Sequence, residues 1–146
     1  MTEAQPQAIG WREWVALPQL GIERLKVKVD TGARSSALHA YFVEPFTRDG
    51  KAWVRFGIHP HQNDETRTVI CEAAVHDRRK VRDSGGHEEV RPVILTEVHL
   101  GERRISVEVT LTNRDSMKFR MLLGRTALKS DYLVAPAESY LLGEPR

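Results

Sequence analysis

Apolar and polar residues alternate along much of the chain, in short stretches that turn residues interrupt. In the segment Ile22–Val29, the apolar residues Leu25, Val27 and Val29 are separated by lysines. A period of two is typical of a β-strand that buries one face. Few long segments show the period of a helix, so the sequence predicts a mainly β fold, closed as a barrel or stacked as a sandwich.

Turn residues divide the chain into further predicted elements. Pro18–Gly21 and Gly101–Arg103 are predicted turns, and Thr126–Ser130 is a predicted helical turn. Residues 1–8 are polar and are predicted to form a flexible tail, which leaves 9–146 as one domain. The other predicted strands are Trp11–Leu17, Ala52–Ile58, Thr66–Val75, Pro92–Leu100, Arg104–Thr112, Met121–Leu123, Tyr132–Val134 and Tyr140–Leu142.

Composition narrows the classes of function. The 146 residues carry 22 Lys and Arg against 20 Asp and Glu, a net charge of +2 that is too small to indicate nucleic-acid binding. No uncharged stretch approaches the roughly 20 apolar residues of a membrane-spanning helix. The single cysteine, Cys71, cannot form an internal disulfide or a zinc site of several thiolates. We therefore expect a cytoplasmic protein with one hydrophobic core.

A carboxylate follows directly after the valine-rich strand. The sequence Asp30-Thr31-Gly32-Ala33 places it in a tight turn, where glycine adopts backbone conformations that other residues resist. The hydroxyl of Thr31 is available for a hydrogen bond across the turn or across an interface. This arrangement predicts a rigidly held Asp30 with backbone N–H groups nearby.

A second motif lies far downstream, where the apolar stretch Met121–Leu123 runs directly into Gly124 and Arg125. In aspartic peptidases, an Asp-Thr-Gly-Ala loop and a hydrophobic-hydrophobic-Gly-Arg segment occur together, and the second crosses behind the first. An isolated Asp-Thr-Gly would carry little weight, since three residues recur by chance. The two motifs together are much more specific.

With these motifs, the sequence resembles the retropepsin-like aspartic peptidases, and most closely a bacterial family long labelled ATP-dependent zinc proteases. The resemblance runs from Ile9–Trp14 through 28–40 and 91–94 to Ser139–Leu141. It implies an acid-protease-like (retropepsin) closed β-barrel in a single domain. The residues that it implicates are Asp30, Thr31, Gly32 and Ala33 in the catalytic loop, with Gly124 and Arg125 in the supporting segment.

The resemblance implies hydrolysis of a peptide bond by a water molecule that two carboxylates activate. Carboxylates about 3 Å apart share one proton, so one can accept a proton from water while the other polarises the scissile carbonyl. One well-supported motif supplies one carboxylate, so Asp30 of a second subunit is expected to complete the pair across a two-fold axis. The expected partners are a second copy of the chain and a peptide or protein substrate, without nucleic acid or membrane.

One position departs from the retroviral pattern. The residue after the loop motif is usually an aspartate that pairs with the arginine of the Gly-Arg segment, and here it is Arg34. Arg125 therefore lacks that partner, which puts the retroviral details of the dimer interface in question. The late segments Pro136–Tyr140 and Tyr140–Leu142 are candidates for an interface strand or for docking on their own subunit.

A second short match to the aspartic-peptidase motif is Asp83-Ser84-Gly85. It follows a run of basic residues and lacks its own hydrophobic-hydrophobic-Gly segment, so a polar turn is favoured over a second catalytic aspartate. Ser84, Gly85 and Gly86 are also candidates for the tip of a mobile flap, because paired glycines suit a hinge or a tip. A flap and an ordinary surface loop both fit the sequence.

The strongest local charge is the run that contains Arg78, Arg79, Lys80 and Arg82. A solvated loop is the first interpretation, and a nucleic-acid surface is disfavoured because no aromatic residue is interleaved. Members of the family that this sequence resembles are associated with an enzyme that adds glutamate residues to a ribosomal protein. These four cations are therefore also candidates for steering an acidic or glutamate-modified tail.

The sequence gives little evidence for the zinc site or the ATP-binding site that the family label names. His87-Glu88-Glu89 begins like the helical zinc-protease motif, but Arg91 stands where the second histidine is needed and Pro92 disfavours the helix. No phosphate-binding Gly-x-x-x-x-Gly-Lys loop is present. We therefore assign no metal ligand and no cofactor.

Two other hypotheses stay open beside an aspartic endopeptidase. One is a non-catalytic module that binds a peptide or protein in the same cleft, and the other is a zinc-dependent peptidase built from scattered histidines. His39 is expected to be a structural residue near the loop. Cys71, in the apolar run Val69–Val75, is expected to be a small core residue rather than a nucleophile.

Overall fold

Strands dominate the computed structural model, which describes residues 5–61, 66–82, 85–113, 119–129 and 131–143. The predicted mainly β class is confirmed. Within these residues the helical elements are α1 (Arg125–Leu128) and a 3₁₀ turn at Pro18–Leu20. The strands are β1 (Gln7–Leu17), β2 (Ile22–Asp30), β3 (Ser36–Ala40), β4 (Phe42–Arg48), β5 (Lys51–Ile58), β6 (Val69–Ala74), β7 (Asp77–Arg82), β8 (Glu88–Leu100), β9 (Arg103–Asn113), β10 (Met121–Gly124) and β11 (Tyr132–Ser139).

Six of the strands close into a barrel. Their order is β1-β2-β10-β3-β9-β8, and β8 returns to β1 through the pair Ala16 and His99. β11 extends the sheet beyond β1, and β7 extends it beyond β8. A separate sheet of β4, β5 and β6 packs on the same core through Val54, Phe56 and Cys71. The predicted closed barrel with a single core is confirmed.

The alternation in β2 determines how the strand presents its last residue. Leu25 and Val27 have no exposed surface and Val29 is 7% exposed, whereas Lys28 lies on the exposed face. Burying each such side chain contributes about 1.5–3 kcal/mol, and a slip of one residue would expose all three. Core packing therefore fixes the register of β2, and the strand ends at Asp30.

Three strands, β3, β4 and β7, lie outside the segments in which the sequence pattern predicts strands. The basic run, first interpreted as a solvated loop, is strand β7 and pairs antiparallel with β8. Its residues are exposed or half-buried at one edge of the sheet, so no apolar face marks it as a strand. The interpretation as a loop was therefore wrong, because pairing with β8 imposes the extended conformation.

The ends of the chain also differ from the prediction. β1 begins at Gln7, so Gln7 and Ala8 of the predicted tail pair with β11. The helical turn covers Arg125–Leu128 instead of Thr126–Ser130, and residue 130 lies outside the described residues. Tyr140–Leu142 forms a turn rather than the predicted strand.

A buried carboxylate explains why residues 140–142 are not a strand. Glu13 of β1 has no exposed surface and accepts hydrogen bonds from the backbone N–H groups of Gly10 at 2.7 Å, Leu141 at 2.9 Å and Leu142 at 3.2 Å. These bonds satisfy the backbone donors that a sheet would otherwise satisfy. In this structure the C-terminal segment docks on β1 of its own chain.

Candidate active site

β2 delivers Asp30 to the start of an exposed loop. The chain turns at once, because the Ala33 N–H donates to the Asp30 carbonyl at 3.1 Å. The Gly32 N–H donates to Oδ1 of Asp30, also at 3.1 Å, and so orients the carboxylate. Asp30 is half-buried, whereas Thr31 and Gly32 are exposed. The carboxylate is therefore held from within the loop and accessible from outside the barrel.

β10 braces this loop from behind. It lies between β2 and β3, and Gly124 stands opposite Asp30 in the parallel pairing with β2. The Gly124 N–H donates to Oγ of the buried Ser36 at 3.0 Å. A Cβ on Gly124 would lie 2.6 Å from the carbonyl carbon and oxygen of Ser35. Any residue larger than glycine would therefore push the loop away from β10.

Arg125 and Thr126, at the start of α1, bind three consecutive carbonyls of the loop. The Arg125 N–H donates to the Ala33 carbonyl at 2.9 Å, and its Nη1 donates to the Gly32 carbonyl at 3.2 Å. Thr126 donates to the Arg34 carbonyl twice, from its N–H at 3.2 Å and from Oγ1 at 2.7 Å. The partner of Arg125 that the sequence left open is thus a backbone carbonyl.

The candidate flap belongs to the hairpin of β7 and β8. Gly85 and Gly86 lie in its connection, and Gly86 has a φ of +83°, a backbone conformation that favours glycine. Ser84 and Asp83 lie outside the described residues. That this hairpin closes over the loop as a flap stays a prediction.

β7 carries the candidate steering residues on two faces. Arg78, Lys80 and Arg82 alternate with Arg79, so three cations share one face of an edge strand. Arg82 forms an ion pair with Glu88 at 2.7 Å. For Arg78 and Lys80, no carboxylate of the described ranges lies within ion-pair distance.

Arg79 lies on the other face of β7, and nearby carboxylates balance its charge. Its guanidinium binds Oδ2 of Asp77 at 2.9 Å and Oε2 of Glu108 at 2.5 Å. Hydrogen bonds from the Arg78 N–H and from the Arg79 side chain lower the pKa of the Asp77 carboxyl. Arg79 therefore differs from the other three candidates, since it cross-links β7 and β9.

Cys71 and the histidines lie apart from the loop's hydrogen-bond network. Cys71 is 3% exposed, which confirms it as a core residue, and burial raises the pKa of its thiol to about 12, the opposite of an activated nucleophile. His39 is buried in β3, and His59 stacks on Tyr41 with 4.2 Å between ring centroids. Within the described ranges, no group of three or more His, Cys, Asp or Glu side chains is placed to hold a metal ion, and no helix is long and apolar enough to cross a membrane.

Two residues that position the loop are absent from the predicted site. Ser36 receives the Gly124 N–H, and Thr126 holds the Arg34 carbonyl. Each is a small hydroxyl residue that directly follows a recognised motif or its loop. That placement is the only signal in the sequence, because hydroxyl-to-backbone bonds leave no periodic pattern.

Comparison with known proteins agrees with this geometry. The sequence profile of a family described as RimB-like, retropepsin-like aspartic endopeptidase RimB, matches residues 8–145. Relatives from Shewanella pealeana and Parasynechococcus marenigrum are 49% and 45% identical over 136 and 138 residues, and both are named probable alpha-L-glutamate ligase. The alignments cover 93% and 94% of this chain but 30% of each relative, so the chain spans less than a third of their length.

A solved structure shares the architecture. A Legionella pneumophila protein of unknown function is 28% identical and superposes with a TM-score of 0.74, over 93% of this chain and 98% of that one. The profile match covers nearly the whole chain, including both motifs and the hairpin between them. The chain therefore belongs to the RimB-like family of retropepsin-like aspartic endopeptidases.

Proposed function

We propose that the protein is an aspartic endopeptidase that works as a homodimer, in which the Asp30 carboxylates of two subunits activate water. The observation that carries this proposal is the bracing of the Asp30 loop. Three of its carbonyls are bound by the start of α1, and the Gly32 N–H orients the carboxylate. A reacting group needs such preorganisation by its supporting residues.

The exposed tip of the loop supports a two-fold partner. Thr31 is exposed, and its hydroxyl forms no hydrogen bond with the described residues. A two-fold axis brings the same surface of both subunits together. Loops that meet across such an axis would pair the two Thr31 residues and place the two Asp30 carboxylates side by side.

The chemistry follows from that pair. Two adjacent carboxylates share one proton, because both cannot ionise at close range. The ionised Asp30 takes a proton from water as the water oxygen attacks the carbonyl carbon of the scissile peptide bond. The protonated Asp30 donates to the carbonyl oxygen. The C–N bond then breaks as the leaving nitrogen receives a proton from the pair.

The charge of the hairpin supports an acidic or glutamate-modified substrate. Arg78, Lys80 and Arg82 recur at about 6.7 Å along β7, the spacing of alternate side chains in an extended peptide. An extended acidic peptide that passed this edge would present carboxylates at the same spacing. The relatives are named glutamate ligases, a name that refers to enzymes that join glutamate to another group. A peptidase would hydrolyse a bond of that type.

Replacement of Asp30 by asparagine tests the proposal. We expect Asp30→Asn to abolish hydrolysis of a glutamate-rich peptide while circular dichroism and sedimentation stay unchanged. Asp49→Asn is the matched control, since Asp49 is exposed in a turn with a φ of +53°, which asparagine also adopts. Retained hydrolysis by Asp30→Asn would exclude the mechanism.

Inhibitors and oligomeric state separate the alternatives. Inhibition by a pepstatin-like compound with resistance to chelators supports the aspartic mechanism. Loss of activity with a chelator and recovery with zinc would instead support a zinc-dependent peptidase. A stable monomer that binds peptide without cleaving it would support a binding module on the same fold.

A further inference from the structure

A cleft of about 660 Å³ opens beside the catalytic loop. Residues of the loop, β7, β8, β9 and α1 line it, and the charged ones are Arg34, Arg79, Glu108 and Lys129. Pockets for small-molecule ligands typically measure about 300–1,000 Å³. The cleft is thus large enough to hold a substrate side chain, and three of its four charged residues are cations.

Two of these cations are uncompensated. Arg79 and Glu108 form an ion pair at 2.5 Å and balance each other. Neither the Arg34 guanidinium nor the Lys129 ammonium forms a hydrogen bond or an ion pair with the residues that the structure describes. The cleft therefore has two positive charges available for a ligand.

Arg34 is held at a defined place relative to the catalytic carboxylate. It follows Asp30 by four residues, and its carbonyl is fixed by the two hydrogen bonds from Thr126. Its side chain is exposed, although its backbone is among the most constrained in the loop. A guanidinium attached to a rigid backbone loses less conformational entropy on binding than one attached to a mobile loop.

Lys129 adopts an unfavourable backbone conformation at the end of α1. Its φ is +51° and its ψ is −139°, a combination that side chains with a Cβ rarely adopt, and its N–H donates to the Arg125 carbonyl at 3.0 Å. Glycine would occupy this position without strain. Strained residues of this kind concentrate at functional sites, so a lysine here points to a use for its charge.

We propose that this cleft binds a carboxylate side chain of the substrate, close to the scissile bond, with Arg34 and Lys129 as the groups that recognise it. The proposal rests on the proposed peptidase function and adds a residue-level site to it. The cations of β7 would attract an acidic peptide from a distance, whereas a guanidinium can form two parallel hydrogen bonds with one carboxylate. Arg34 and Lys129 would therefore determine which side chain is accepted beside the bond.

The test compares two peptides that differ only in glutamate or glutamine at the positions flanking the cleaved bond. For the wild-type protein, we expect a higher kcat/KM for the glutamate peptide. Arg34→Gln should lower that preference about tenfold, because it removes charge-assisted hydrogen bonds. Lys51→Gln is the control, since this exposed lysine of β5 lies outside the cleft and should leave the preference unchanged.

A second variant separates recognition from structure. Lys129→Gly should lower the preference about threefold without lowering Tm, because glycine relieves the backbone strain. A preference that stays at the wild-type value in both variants would overturn the proposal. Dissociation of the dimer by Arg34→Gln would also overturn it, since Arg34 would then pair with an acidic group of a second copy.

A binding measurement keeps the cleft testable if the protein cleaves neither peptide, which would count against the peptidase function itself. The labelled glutamate peptide should bind Asp30→Asn about tenfold more tightly than it binds the double variant Asp30→Asn/Arg34→Gln. Equal affinities would exclude a carboxylate site in the cleft.

Discussion

Replacement of Glu13 by glutamine should loosen the C-terminal segment from β1. Oε2 of Glu13 accepts the N–H groups of Gly10 and Leu141 at 2.7 and 2.9 Å, and Oε1 accepts that of Leu142 at 3.2 Å. Glutamine has a single acceptor oxygen. With that oxygen in the place of Oε2, its NH₂ group would face the Leu142 N–H. The hydrogen bonds from Gly10 and Leu141 would then have a neutral acceptor in place of a charged one. The third hydrogen bond, from Leu142, would become a contact between two donors.

The expected loss of stability follows from these three bonds. A hydrogen bond to a charged group contributes about 1.5–3 kcal/mol, and one between neutral groups contributes about 0.5–1.5 kcal/mol. Each weakened bond loses about 1–1.5 kcal/mol and the lost bond costs about 1.5–3 kcal/mol, which add up to roughly 3.5–6 kcal/mol. In a chain of this size, 1 kcal/mol shifts Tm by about 2–4 °C, so Tm should fall by about 7–24 °C.

Thermal unfolding followed by circular dichroism measures this change. Glu102→Gln is the control, because Glu102 is exposed in the turn between β8 and β9 and its replacement should cost less than about 0.5 kcal/mol. Hydrogen exchange at Leu141 and Leu142 should also become faster in Glu13→Gln. A Tm equal to that of the control, with unchanged exchange at both amides, would refute the conclusion that Glu13 holds the C-terminal segment on β1.

Two further predictions concern the site. Gly124→Ala places a Cβ 2.6 Å from the carbonyl group of Ser35, so the loop must move. The free energy of unfolding should fall by about 1–3 kcal/mol, and the rate of hydrolysis should fall more than about tenfold. Wild-type stability and activity in this variant would contradict the support of the loop by β10. The double variant Arg78→Gln/Lys80→Gln should lower kcat/KM for an acidic peptide at low salt and converge with the wild type at high salt, because salt screens exposed charges. A loss that does not depend on salt would exclude steering by β7.

The sequence predicted those parts of the fold in which burial follows chain periodicity. In β2, alternation of apolar residues with lysines predicted the strand Ile22–Val29, and the observed strand ends one residue later, at Asp30. The resemblance to aspartic peptidases implied that the Gly-Arg segment crosses behind the loop, and the space around Gly124, which admits no Cβ, agrees. The alternation in β2 depends only on which side chains the strand buries, so a single sequence reveals it, whereas the crossing required the resemblance to a known family.

The parts that the sequence did not predict depend on partners far along the chain. Strand β7 has charged residues on both faces, since its other face contacts Glu108 of β9 rather than the core. Glu13 looks like a polar residue between two tryptophans until its bonds to Leu141, 128 residues later, are known. The Arg125 side chain donates a hydrogen bond to the Gly32 carbonyl. Every residue has such an acceptor, so no sequence motif identifies it.

The same hydrogen bonds permit a cation at position 34, where the retroviral pattern has an aspartate. In the retroviral pattern, the aspartate at this position pairs with the arginine of the Gly-Arg segment. Here the Gly32 carbonyl holds Arg125, and Thr126 holds the carbonyl of Arg34. Arg125 and Thr126 thus bind the loop through its backbone carbonyls, and the side chain at position 34 forms no hydrogen bond or ion pair with the described residues. A charge of either sign is compatible with these backbone hydrogen bonds, and under our proposal its sign would be set by the substrate side chain that binds in the neighbouring cleft.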